Sequence, residues 1–328
     1  MKFVKDNFTY IPQEKGIDGM FKMMELAART CYKTEDLIKD GSAEKIINNV
    51  IIPKGHTSVL EFGTVYLYYT CKKEDISNNV SFIKKYMSDR FSRVYVNEKD
   101  VDIEFFITTT YRTIMQGDYE NPIDAIKNNF DKNWKDDLKY WSEPTKYHHK
   151  RYCYKFVMDR VGSQSVERHR GRFGISYAQE STRFINYSRD KFNNEITVVL
   201  PSKFYQLIDE WSKSSDSLTN ESYSYIKDSD MLTQLNFLRT HDRGWVAYEE
   251  SIQKCEENYI YLVKVENWKP EDTRGVLNLD IKTEFMMCAY PEDWEMFLFR
   301  RTDKHAHPHI QYISKKLKED FLKQSENK

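Results

Sequence analysis

The sequence is poor in cysteine, glycine and proline, and it has no long apolar run. Its five cysteines, Cys31, Cys71, Cys153, Cys255 and Cys288, are widely spaced, odd in number and free of any Cys-x-x-Cys pair. That pattern argues against a disulfide framework and a zinc knuckle, and for a reducing compartment. Only 11 glycines and 8 prolines interrupt the 328 residues, too few for a low-complexity or fibrous chain. No stretch approaches the roughly 18 apolar residues of a membrane span. The N-terminus, Met1-Lys2-Phe3-Val4-Lys5-Asp6, has no apolar core of a signal peptide. A cytoplasmic protein without membrane contact is expected. An excess of charge of one sign is missing too: 50 Lys and Arg stand against 51 Asp and Glu, a net charge of -1. No bulk field draws the chain to nucleic acid, so any anion site has to be local.

What is present is a large apolar and aromatic inventory. Hydrophobic residues make up 40% and aromatics 15%, with 23 Tyr and 19 Phe, a globular composition that supplies a sizeable core. Ile17, Met20, Phe21, Met24, Ala27, Ala28 and Cys31 recur at helical spacing. Ile46, Ile47, Val50 and Ile51 form a second apolar face that ends at Pro53 and Gly55, just before His56. β-Branched and aromatic runs predict strands over 64–71 and 151–158. Between them, about 72–150 is rich in Lys, Asp and Asn and predicts helices near 79–86 and 123–141. It reads as an insertion in one domain, since a separate domain needs a complete core of its own. Beyond lie a short strand over 195–200, a mainly helical stretch over 202–267 with a loop at 212–222, and a helix starting near Pro308.

The most unusual stretch is Arg168-His169-Arg170, with Arg172 close by, followed by Ser176-Tyr177-Ala178-Gln179-Glu180-Ser181-Thr182-Arg183-Phe184. Such a crowd of cationic groups repels itself. Either all point to solvent at a basic helix end, or something anionic occupies the space between them. Gly55-His56-Thr57-Ser58-Val59-Leu60-Glu61-Phe62 lies in a turn between a helix and a strand. On residues alone, Ser58 and Glu61 also read as a capping box. His305, His307 and His309 lie close together, but Pro308 breaks their geometry and no cysteine or carboxylate cluster joins them. No metal site is expected.

Arg168-His169-Arg170 and the run from Gln179 to Phe184 resemble the defining motif of flavin-dependent thymidylate synthases, which methylate dUMP. Other elements follow in that family's order. Gly55 to Glu61 resembles its Gly-His-x-(Ser/Thr)-x-x-Glu element, and Ala28-Arg29-Thr30-Cys31-Tyr32 its Ala-Arg-x-(Ser/Cys), although Cys31 reads equally as core packing. Thr273-Arg274-Gly275-Val276-Leu277 resembles Ala-Arg-x-Val-Leu-Pro with Asn278 in place of the proline. Arg301-Thr302-Asp303-Lys304-His305-Ala306 resembles Arg-x-(Asp)-x-His-Ala, although Arg301 alone also reads as a surface partner of Asp303 or Glu295. The three blocks span about 28–71, 151–200 and 270–310.

The resemblance implies an α+β fold of the thymidylate synthase-complementing-protein type. Its antiparallel sheet is flanked by helices in a single domain over 1–328, with the 72–150 insertion between two core strands. It implies reductive methylation of dUMP to dTMP, with methylenetetrahydrofolate as carbon donor, FAD as hydride carrier and NADPH as reductant. The family is a homotetramer with shared active sites, and no nucleic-acid partner is expected. Arg301 is the implied catalytic residue, stabilising an anion at uracil N3. The implied dUMP residues are Ser165, Arg168, Gln179, Glu180, Ser181, Thr182, Arg183, Arg274 and Arg301. The implied FAD residues are His56, Ser58, Glu61, Arg168, His169, Arg170, Gln179 and His305.

The chain also departs from the family. Ten residues, Gly171 to Glu180, separate Arg-His-Arg from Ser181, three more than is usual. Either a bulge at Gly171 and Gly174 absorbs them, or Arg172 takes over one arginine's role. Ser165 stands where the family has Gln or Glu, and Tyr290 and Met296 lie near asparagines that line the flavin in some relatives. These departures keep a second reading open: a catalytically inactive nucleotide- or RNA-binding relative of the same fold.

Overall fold

A computed structural model describes residues 1–116, 134–169, 174–215 and 222–326. The chain opens with strands β1 (Lys2–Val4) and β2 (Asn7–Tyr10) and helix α1 (Gly16–Tyr32). Strand β3 (Thr64–Lys72), helix α2 (Ile76–Ser88), strands β4 (Arg93–Glu98) and β5 (Asp102–Thr110) and helix α3 (Tyr111–Gln116) follow. Next come β6 (Tyr152–Asp159), α4 (Arg160–Glu167), β7 (Ser176–Gln179) and β8 (Thr197–Val199). Helices α5 (Ser202–Ser212), α6 (Met231–His241) and α7 (Arg243–Lys264) lead to β9 (Lys282–Ala289), α8 (Pro291–Arg301) and α9 (Pro308–Glu326).

Four strands pair in the order β2-β6-β9-β7, each pair antiparallel. Side chains alternate between the faces of a strand. Cys153, Ala178, Met286 and Cys288 therefore join the core around α1, whereas Tyr152, Tyr154, Phe156, Phe285 and Met287 pack with Trp294, Phe297, Leu317 and Phe321 of α8 and α9. A sheet covered by helices on both sides needs both faces apolar. Trp294 is fully buried and gives its indole N–H to the Tyr152 carbonyl at 3.0 Å, so its single polar atom is paired.

A second antiparallel sheet, β3-β5-β4, aligns β3 with β5 from Thr64↔Thr110 to Lys72↔Asp102. Its Val65, Leu67, Phe105 and Ile107 share the core of α1. The parallel pair β1-β8 meets α5, α6 and α7 over Phe3, Val198, Phe204, Leu238 and Trp245. Among the described residues, no helix is long and apolar enough to cross a membrane.

The α+β class is observed, with antiparallel sheets flanked by helices. The helices expected at 17–31 and 79–86 correspond to α1 and α2, and the strands expected at 64–71, 151–158 and 195–200 to β3, β6 and β8. The stretch around 72–150, expected to be helical, also supplies β4 and β5, and β5 is the neighbour of β3. Residues 176–179, where no strand was expected, form the edge strand β7 by pairing with β9. Much of the helix expected at 123–141 lies outside the described residues; Trp134–Tyr140 is a run of 3-10 turns. The loop expected at 212–222 lies partly outside them.

Candidate active site

Gly55 has a φ of +69°, a left-handed conformation that a side chain would strain. It turns the chain so that His56 leads into 3-10 turns over Thr57–Phe62. Along these turns Thr57 and Glu61 are buried, while His56 and Ser58 are exposed. No side-chain cap bond forms, so Ser58 and Glu61 are not a capping box. The Tyr32 hydroxyl is hydrogen-bonded to His56 Nδ1, and the Tyr32 and Phe184 rings lie 5.9 and 6.5 Å from the His56 ring.

From the other side β7 brings in Gln179, and the Ser181 N–H donates to the Cys31 carbonyl at 3.1 Å. His56, Ser58, Gln179 and Ser181 thus converge with Cys31, Tyr32, Arg112 and Phe184 around a cavity of about 420 Å³. Burial pushes the Cys31 thiol up to about 12. Its partly buried side chain packs against the core of α1 and also lines the cavity.

Glu61 forms an ion pair with Arg112, a residue that the sequence reading missed. Burial raises the Glu61 pKa, and Arg112 opposes the rise. Arg151 donates to the Glu61 carbonyl at 2.8 Å and to Ser176 Oγ at 2.9 Å, fastening this turn to β7. Arg112 follows β5, and the signal that places it beside Glu61 is the β3-β5 register, which no local motif encodes.

Helix α4 starts at Asp159, whose Oδ1 accepts the Gly162 N–H at 2.6 Å. Gln179 Nε2 donates to Ser163 Oγ at 2.7 Å, which ties this helix to the cavity. Arg168 is exposed at the helix end. Arg301, at the end of α8, donates from Nη2 to the Ser165 carbonyl, whereas the Ser165 hydroxyl turns back to the Val161 carbonyl at 3.0 Å. Among the described residues Arg301 pairs with neither Asp303 nor Glu295; Asp303 instead binds the ring and N–H of His305, each at 2.8 Å. Burial lowers the Arg301 pKa, helped by Arg300 and Arg168 and opposed by Tyr177.

His169 packs edge-on to Phe297, with ring centroids 5.5 Å apart. Burial, then Arg300 and Arg301, push its pKa down to about 4, so it is neutral rather than a further cation. His169 Nε2 and Arg301 Nε are buried without a hydrogen-bond partner among the described residues. Such orphaned atoms mark a place where a ligand or water completes the structure. Arg170, Gly171, Arg172 and Phe173 lie outside the described residues.

Glu180 faces inward. Its carboxylate accepts from the Tyr187 hydroxyl at 3.1 Å, the Glu284 N–H at 3.1 Å and Lys282 at 3.2 Å. Lys282 and Lys155 also hold Glu284, at 2.6 and 2.8 Å, and Lys33 joins them. Thr182 is buried and Ser181 half-buried. Arg183 is exposed, pairs with Glu271 at 3.4 Å and lies 5.7 Å from the Phe184 ring centroid. Arg274 is exposed three residues past Glu271, so the Arg183–Glu271 pair lies on the segment carrying Arg274. His305 is exposed between α8 and α9.

Tyr290 is fully buried, its hydroxyl 2.8 and 3.0 Å from the carbonyls of Phe91 and Thr108. Met296 is half-buried. His309 is buried between two carboxylates, with Nδ1 2.6 Å from Asp159 and Nε2 3.1 Å from Asp6. Burial works against its charge, but the carboxylates prevail and raise its pKa to about 9.

The profile of the family described as "Thymidylate synthase complementing protein" matches residues 93–325. The match takes in Arg168 to Arg183, Arg274 and Arg301, and begins after Gly55 to Phe62. No curated protein matches the sequence. Among solved structures, the chain is similar to a UMP/dUMP methylase, PolB, from Streptomyces cacaoi, bound with 5-Br dUMP. That similarity is 10% in sequence identity, with a TM-score of 0.40, over 98% of this chain and 93% of the other. With the profile matched over residues 93–325, from β4 into α9, the chain belongs to the thymidylate synthase complementing protein family.

Proposed function

We propose that this chain is an FAD-dependent thymidylate synthase, which methylates dUMP to dTMP with methylenetetrahydrofolate as carbon donor and NADPH as reductant. The observation that carries the reading is the convergence of His56 and Ser58 with Gln179 and Ser181 on one cavity. A volume of about 420 Å³ is in the range of small-molecule sites. The aromatic faces of Tyr32 and Phe184 and the polar groups of Ser58 and Gln179 suit a flavin ring. Bound flavin supplies reduction by hydride transfer.

In this cavity His56, Ser58 and Gln179 hold the flavin, and Ser181 and Arg183 hold the nucleotide phosphate. Arg301 stabilises negative charge at uracil N3, an effect that partial burial strengthens. With its pKa near 12, Cys31 offers no thiolate to attack the uracil ring. Glu180 holds the Ser181 turn from behind rather than touching dUMP. Arg168 and Arg301 do not line the cavity of their own chain. Sites shared between the subunits of a homotetramer bring a neighbour's arginines to it.

The test is tritium release from C5-labelled dUMP. Release should require FAD, NADPH and methylenetetrahydrofolate together. Arg301→Ala should lower it by about 10²–10³-fold while FAD still binds, and His56→Ala should weaken FAD binding first. Wild-type protein that binds dUMP but releases no tritium contradicts the enzyme and supports the inactive nucleotide-binding relative, which the Ser165 hydroxyl favours, being bonded back to the Val161 carbonyl of its own helix.

A further inference from the structure

Among the described residues lining the cavity, Arg112 is the one with a permanent charge. Of the other ionisable groups there, burial pushes Cys31 up to about 12 and raises Tyr32 as well, so both stay neutral at neutral pH. Of the arginines that the sequence motifs single out, those among the described residues do not line the cavity. Arg301 reaches Ser165, Arg183 reaches Glu271, and Arg168 ends α4. Among the described residues, Arg112 is therefore the fixed cation that an anionic edge seated in this cavity meets.

Two features fix this guanidinium. Arg112 is the second residue of α3, and the Tyr111 N–H donates to the Gly63 carbonyl at 2.8 Å, extending the register in which Thr64 faces Thr110. Glu61, two residues before Gly63, is thereby placed to pair with Arg112 Nη1. The Glu61 side chain is 7% exposed and that of Arg112 20%, so the carboxylate is the buried partner and the guanidinium stands at the cavity wall. A guanidinium carries five N–H donors in a planar fork. One carboxylate at Nη1 leaves donors for a second planar acceptor.

We infer that Arg112 is the anion-binding residue of the cavity and that Glu61 is a positioning residue acting through it. The inference rests on the proposed flavin reading, in which the occupant is the pyrimidine edge of the isoalloxazine. That edge presents planar carbonyl and nitrogen acceptors and gains negative charge on reduction. A fixed cation beside it binds the reduced form more tightly than the oxidised form, which raises the midpoint potential of the bound flavin.

The experiment measures dissociation constants of oxidised and reduced FAD, and the midpoint potential, for wild type, Arg112→Lys, Glu61→Gln and the double variant Arg112→Gln/Glu61→Gln. The double variant removes the charge without stranding a buried carboxylate, and circular dichroism checks its fold. Its preference for reduced over oxidised FAD should fall by about tenfold, the loss of one charge-assisted hydrogen bond, with a more negative potential. Arg112→Lys should keep part of the potential but bind both forms more weakly, because an ammonium lacks the planar fork. Glu61→Gln should shift the potential less than the double variant does. A folded double variant with wild-type affinities for both redox forms overturns the inference and leaves the flavin reading standing. Failure of the wild-type protein to bind FAD overturns the flavin reading, and the inference with it.

Discussion

His309 and His169 sit at the two ends of α4 and titrate in opposite senses. Protonated His309 bridges Asp159 and Asp6, and its pKa is raised from 6.5 to about 9. The folded state holds that proton more tightly, so the stabilisation is complete below pH 6.5 and is lost as pH rises through about 9. His169 is the reverse case: its pKa falls from 6.5 to about 4, so its contribution is complete above pH 6.5 and is lost as pH falls through about 4. Thermal unfolding followed against pH should show a declining alkaline limb between about 6.5 and 9. His309→Gln should flatten that limb and leave the acid limb in place. An alkaline limb of unchanged slope in the variant contradicts the bridge.

At the scale of elements, the close approach of Gly174 to the end of α2 joins two sheets. A Cβ there would lie 2.3 Å from the Arg90 carbonyl oxygen, which is backbone and cannot swing aside. Gly174→Ala should therefore destabilise the protein by about 1–3 kcal/mol, the usual cost of overpacking, read as a lowered urea midpoint. An unchanged midpoint contradicts the contact. Elements with a strong period of their own, such as α1 and β3, are legible in the sequence. Strand β9 is not: Lys282-Thr283-Glu284-Phe285-Met286-Met287-Cys288-Ala289 is rich in helix formers, and pairing with β6 on one side and β7 on the other makes it a strand. The same logic divides the candidate site. His56, Ser58, Gln179 and Ser181 are legible because they lie in short motifs. The inward turn of Glu180 follows from strand parity, since neighbours along an extended chain face opposite ways and Gln179 lines the cavity. Arg112 depends on which strand lies beside β3, which the sequence does not announce.

Over the whole molecule, segments far apart in sequence make one site. Helix α1 supplies Cys31 and Tyr32, the turn before β3 supplies His56 and Ser58, α3 supplies Arg112, and β7 with its following turn supplies Gln179, Ser181 and Phe184. Packing of the four-stranded and three-stranded sheets around α1 brings them together, so the cavity forms only in the folded chain. Arg168, His169 and Arg301 gather beside Ser165, joined to the cavity through Gln179 and Ser163. In the proposed homotetramer, they complete a neighbour's site. The most direct measurement is a crystal structure of the protein with FAD and dUMP. It should place the isoalloxazine against His56, Ser58, Arg112 and Gln179, with the uracil ring within reach of an Arg301. FAD bound elsewhere, with this cavity holding neither flavin nor nucleotide, would contradict the account.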